Sequence, residues 1–169
     1  MNKAKVSLIA DVWAMSIEAA VEVAAKVPEN KEMTQLQDGK SHPVWLLGHM
    51  AFAASFPVLA VALGKSPVLP LEWLPKFGPD FAGGQPASAD ASNYPSWVEI
   101  VEGYKKSGAA AVAAIRDLED SDLAGTVKGN VPEGLEANFN YENLESALLT
   151  FVRHNTHHTG QLALLAALD

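Results

Sequence analysis

Glu142 to Leu168 reads ENLESALLTFVRHNTHHTGQLALLAAL. Each residue turns an α-helix by about 100°, so steps of three and four collect Ala147, Phe151, His154, His158, Leu162 and Leu165 on one face. The stripe predicts a core-facing helix from about Tyr141 to Leu168, with two imidazoles where the pattern asks for apolar side chains. His154 and His158 lie one turn apart and about 40° apart in azimuth, the spacing that lets two helical histidines share a metal ion. His157 falls on a different azimuth from both.

Three earlier segments carry the same periodicity. From about Lys3 to Val27 the stripe is Val6, Ile9, Trp13, Ile17, Ala20 and Ala24, and Pro28 stops the helix. A second helix begins at Ser41 or His42, with Pro43 in the first turn where its missing N–H costs nothing, and ends before Gly64. Its stripe of Trp45, His49, Phe52, Phe56, Leu59 and Leu63 puts a third imidazole, His49, toward the core. A third helix starts at Ser96, an N-cap with Glu99 placed to complete a capping box, and its stripe runs from Trp97 through Val101, Tyr104, Gly108, Ala111 and Ile115 to Leu118.

Between the second and third helices, residues 65–96 hold six prolines and the pair Gly83-Gly84, which excludes a long helix but allows a short turn at Leu71 to Trp73. Crossovers this long join opposite ends of a bundle or carry function. The expectation is therefore an all-α four-helix bundle with a long crossover between helices 2 and 3, in up-down-down-up rather than up-down-up-down order, forming a single domain over residues 1–169.

Composition removes several function classes. With 49% hydrophobic and 19% charged residues the chain reads as an ordinary globular protein. A net charge of -8 repels phosphate backbones and the basic residues form no stripe, so no nucleic acid partner is expected. Asp11, Glu18 and Glu22 interrupt the first apolar stretch, so neither a signal peptide nor a membrane span is read there, and a cytoplasmic location is expected. The chain has no cysteine, so any thiol chemistry needs an outside thiol.

A buried polar group without a partner costs a few kcal/mol, and a metal ion would satisfy one nitrogen of each inward histidine at once. The same three residues could instead be core histidines bonded to main-chain carbonyls. Their grouping favours His49, His154 and His158 as ligands of one divalent transition metal. Zinc and nickel suit imidazole best, and iron, manganese and copper are compatible. Trp45 reads as core or as a pocket wall, Gln161 and Asn155 as structural or site groups, and Glu142 and Glu145 as partners of the helix dipole.

Two separated motifs, WLLGHM at Trp45 to Met50 and HNTHHTGQL at His154 to Leu162, resemble the DinB-like (DinB/YfiT-like) family along the whole chain. In that family W-x-x-x-H on helix two pairs with H-x-x-x-H-x-G-Q on the last helix, and Asn93 to Ser96 is also similar to what many members carry. The resemblance implies a four-helix bundle and a three-histidine metal site, with His49 as the helix-two ligand, His154 and His158 as the last-helix ligands, and His157 as a neighbour. It further implies a bacterial metal-dependent hydrolase, or a transferase that uses a low-molecular-weight thiol, acting on a small-molecule substrate. The alternative is a non-catalytic, stress-related module that binds a metal or a small molecule. Family similarity also allows a homodimer, although no second apolar face is evident.

Overall fold

Three of the four long helices begin where a side chain satisfies the first free N–H groups. The computed structural model describes residues 3–168. Its long helices are α1 (Ala4–Ala24), α2 (Pro43–Ala53), α4 (Trp97–Arg116) and α5 (Leu144–Ala166), with a short α3 (Leu74–Phe77) in the crossover. At the start of α2, His42 Nδ1 accepts from the Trp45 N–H at 3.1 Å while Pro43 takes the first position. Ser96 opens α4 with the expected capping box: its hydroxyl accepts from the Glu99 N–H, and the Glu99 carboxylate accepts from the Ser96 N–H at 2.8 Å. Asn143 caps α5 in the same way through Ser146, so that helix starts at Leu144 rather than at Tyr141. No strand occurs among the described residues.

Periodicity did not reveal a change of helix type inside the second segment. After Ala53 the chain continues as a π-helix over Ala54–Ala62. Pro57 is the cause: it has no N–H to donate, and its ring crowds the carbonyl one turn back. Widening the turn relieves the crowding, and bonds such as Leu63 N–H to Val58 O at 3.0 Å keep the segment helical. Pro43–Ala62 is long and apolar enough to cross a membrane, with a mean hydropathy of 1.8, yet 83% of that window is buried inside the protein. It is the core helix of the bundle. Trp45 and Phe56 are half-buried, whereas Leu46, Leu47, Met50 and Ala51, off the expected stripe, are fully enclosed.

α1 packs against α4 and α5, and α2 packs against the same pair. The core forms two adjoining clusters. One gathers the start of α1 (Val6, Ile9, Trp13) and the start of α5 (Leu144, Leu148) with Leu59 and Leu63 at the end of the π-helix and Ile115 from the end of α4. The other gathers the ends of α1 and α5 (Ala24, Leu165) with the starts of α2 and α4 (Leu47, Ile100, Tyr104) and with Trp73 and Phe77 from the crossover. Burying each large side chain in these clusters contributes roughly 1.5–3 kcal/mol.

The crossover is fastened to the bundle rather than looped away from it. Ser55 Oγ, fully buried, accepts from the N–H groups of Val68 and Leu69 at 3.0 Å each. A 3-10 turn at Leu71–Trp73, where the sequence allows one, then leads into α3, whose Phe77 has no exposed surface. These contacts lay the crossover along α2 on the side that bears His49.

Candidate metal centre

α2 and α5 carry the three histidines, and the packing of these helices brings the imidazoles together. Ring centroids lie 4.9 Å apart for His49 and His154, 5.0 Å for His49 and His158, and 4.5 Å for His154 and His158. One nitrogen from each lies within 4.8 Å of the others, a group that could hold a metal ion. Nε2 of His49 faces Nε2 of His154 at 3.0 Å.

Neighbouring acceptors determine which nitrogens are free. His49 Nδ1 lies 2.6 Å from the carbonyl oxygen of Phe77, which can only accept, so Nδ1 carries the proton and Nε2 presents its lone pair. His158 Nδ1 donates to Gln161 Oε1 at 2.6 Å, which leaves its Nε2 free in the same manner. Burial pushes the pKa of His49 down to about 4 and that of His154 down to about 3, where the facing His49 and His158 add to the effect. Burial also lowers His158. The cluster is therefore neutral at neutral pH, with one nitrogen of each ring gathered around a common space.

A small divalent cation fits this donor set. Two nitrogens bound tetrahedrally at zinc–nitrogen distances of about 2.0–2.1 Å lie about 3.3 Å apart, close to the separation of His49 and His154. With His49 protonated at Nδ1, its Nε2 accepts from the His154 Nε2–H in the metal-free cluster, and a cation held between the two nitrogens would take the place of that proton.

The glycine before His49 makes this geometry reachable. A Cβ at Gly48 would lie 2.2 Å from the Phe77 ring, so only a residue without one lets α3 approach closely enough to deliver the Phe77 carbonyl. Trp45 stacks on the His49 ring, with centroids 4.8 Å apart and planes 8° from parallel. Its indole Nε1 is buried without a hydrogen-bond partner.

The remaining candidates separate clearly. Asn155 is structural: buried, it accepts from the Tyr104 hydroxyl at 2.9 Å and donates to Ser16 O at 3.1 Å, joining α4, α5 and α1. Gln161 holds His158. His157 is exposed and lies outside the three-nitrogen group, with its ring centroid 5.2 Å from that of His158. Glu145 sits in the first turn of α5 and pairs with Lys5 at 3.2 Å, and Glu142 is exposed just before that helix.

A cavity of about 760 Å3 opens beside the cluster, reached by His49, His154 and His157 and walled by Phe52, Phe56 and Phe151. Its far wall comes from the crossover and from the segment before α5. That segment docks through Gly129, where a Cβ would lie 1.8 Å from the Ala60 carbonyl oxygen. A pocket walled in part by the crossover, at Leu71, Leu74 and Phe81, is what a long functional connection leads one to expect, whereas the roles of Phe77 and Gly48 and the share of the segment before α5 in the wall escaped the sequence reading. The visible signal was a glycine directly before an inward histidine in an otherwise large and apolar segment.

The model of the DinB superfamily matches residues 13–162, a span that includes His49, His154 and His158. No curated protein and no solved structure matches the chain.

Proposed function

The chain belongs to the DinB superfamily, and on that premise we propose that it is a metal-dependent enzyme whose centre is built by His49, His154 and His158. The observation that carries the proposal is the convergence of three neutral imidazoles at the edge of a large apolar cavity. Three protein ligands leave a coordination position open, the pattern of catalytic rather than closed structural sites. Zinc or nickel suits the all-nitrogen donor set.

When bound, such an ion supplies Lewis acidity, lowering the pKa of a water or small thiol held beside it. The chain's own residues then do the rest. Phe77 O and Gln161 fix the rings of His49 and His158, which keeps their Nε2 atoms directed at the centre. The phenylalanines of the cavity exclude water and hold the apolar part of a substrate against the histidines. His157, in the same cavity wall, can take a proton from the reacting group at an imidazole nitrogen. Because the chain has no cysteine, a sulfur nucleophile would be a free low-molecular-weight thiol, and the reaction is either its transfer to an electrophile or hydrolysis by water.

Elemental analysis of tag-free protein, beside a His49→Ala, His154→Ala, His158→Ala triple variant, tests the centre. About one transition metal per chain, lost in the variant, is expected. Turnover of thiol acceptors or of ester and amide panels, abolished in that variant, identifies the reaction. Wild-type protein that takes up neither zinc nor nickel would overturn the reading.

A further inference from the structure

The cavity beside the histidines is lined by one formally charged residue, Arg153. Among the described residues no aspartate or glutamate contributes to its wall, although the chain carries 20 acidic residues. Lys3, Lys5, Arg116 and Lys128 each hold a carboxylate, whereas Arg153 makes no ion pair or hydrogen bond among the described residues. Its position on α5 directly before His154 puts it at the boundary between the cavity and the histidine cluster.

The rest of the wall is aromatic and aliphatic, including Phe56, Phe81, Phe139 and Leu74, and its polar groups such as Thr150 and Asn138 are neutral. A volume of about 760 Å3 falls in the range that encloses a drug-sized molecule. An unpaired guanidinium beside such a surface offers a planar fork matched to a carboxylate. A cationic ligand would meet no counter-charge in the wall and would be repelled by Arg153.

We infer that this cavity takes a small molecule with an apolar, ring-sized body and one carboxylate, the body lying among the phenylalanines and the carboxylate held by Arg153. The assignment names a substrate class for the proposed metal centre and rests on that reading for its role in catalysis. Its binding test is separable from it.

Three probes share one body and differ in head group: 2-naphthoate, 2-naphthylmethanol and 2-naphthylmethylammonium. Calorimetric titration of each into metal-free and zinc-loaded protein is expected to show naphthoate binding about tenfold or more tighter than the alcohol, with the ammonium weakest, as a charge-assisted bond requires. Arg153→Gln should bring naphthoate to the level of the alcohol, leaving the alcohol and the zinc content unchanged, and Arg153→Lys should keep part of the preference. Thr150→Trp, which fills the cavity, should weaken all three. Naphthoate preference in protein that binds no zinc would sink the metal reading and support this one. Three outcomes overturn the inference: naphthoate does not bind, the three probes bind equally, or the preference survives Arg153→Gln but disappears in the triple histidine variant.

Discussion

His49 donates from Nδ1 to the main-chain carbonyl of Phe77 at 2.6 Å, across 28 residues of chain, and the ring of the same Phe77 fills the space beside Gly48. One residue of the crossover thus sets the tautomer of a helix-two histidine and leaves no room for a side chain on the residue before it. The relationship ties a packing detail to the chemistry of the centre, because the nitrogen left free on His49 is the one that faces His154.

Gly48→Ala should separate the two. The added methyl forces the Phe77 ring and α3 outward, at an overpacking cost of about 1–3 kcal/mol. With the Phe77 carbonyl displaced, zinc affinity should fall about 10- to 100-fold, as when a partner behind a metal-bound histidine is lost. Competition against a chromophoric chelator measures it. An unchanged affinity in a folded variant would mean that the Phe77 carbonyl does not tune the centre.

Metal removal should destabilise the wild type alone. Binding to the native state raises stability by an amount that grows with the logarithm of free metal over Kd, about 2.7 kcal/mol at a hundredfold excess. Thermal unfolding with and without a chelator should show a lower Tm for the stripped wild type and no chelator effect on the triple alanine variant. Equal shifts in both proteins would place the metal elsewhere.

The pH dependence of the metal-free protein follows from the buried imidazoles. His49 and His154 have folded pKa values of about 4 and about 3, both below the ordinary value of 6.5. As pH falls below 6.5 the unfolded chain binds protons at these positions and the folded chain does not, so stability is lost progressively, down to about pH 4 for His49 and about pH 3 for His154. Each histidine contributes a slope of up to about 1.4 kcal/mol per pH unit in that window. Denaturant midpoints between pH 7.5 and 4.5 measure it, and replacing both histidines by glutamine should make the profile shallower, leaving the part that His42 and His158, also lowered by burial, contribute. A slope left unchanged by the replacement would assign the effect to other groups.

Asn155→Leu tests the division between site and scaffold. It leaves the buried Tyr104 hydroxyl without its acceptor, a loss of about 1–3 kcal/mol. Zinc stoichiometry should stay at the wild-type value, since Asn155 bonds to Tyr104 and Ser16 and not to the histidine cluster. Loss of metal from a folded Asn155→Leu protein would contradict this assignment.

Much of the architecture is legible in the chain because it is local. Stripes of apolar residues place the four long helices, Ser96 with Glu99 marks the start of α4, and the six prolines of residues 65–96 delimit the crossover. The grouping of His49, His154 and His158 is legible for the same reason: each stands in an apolar stripe, and inward positions of packed helices converge. Boundaries were less readable at Asn143, whose cap competes with a helical start at Tyr141, and in the second helix, where Pro57 changes the hydrogen-bond spacing without disturbing the apolar pattern.

Helical periodicity, a property of neighbours three and four residues apart, is enough to place the four long helices and to turn His49, His154 and His158 toward the core, although in α2 residues off the stripe such as Leu47 and Met50 are buried as well. Which nitrogen of His49 is free, what Gly48 makes room for, and that Arg153 shares a cavity wall with Phe56 and Phe81 emerge with the packing of the whole chain. Those are contacts between segments far apart in the chain, and no local pattern encodes the close approach that creates them.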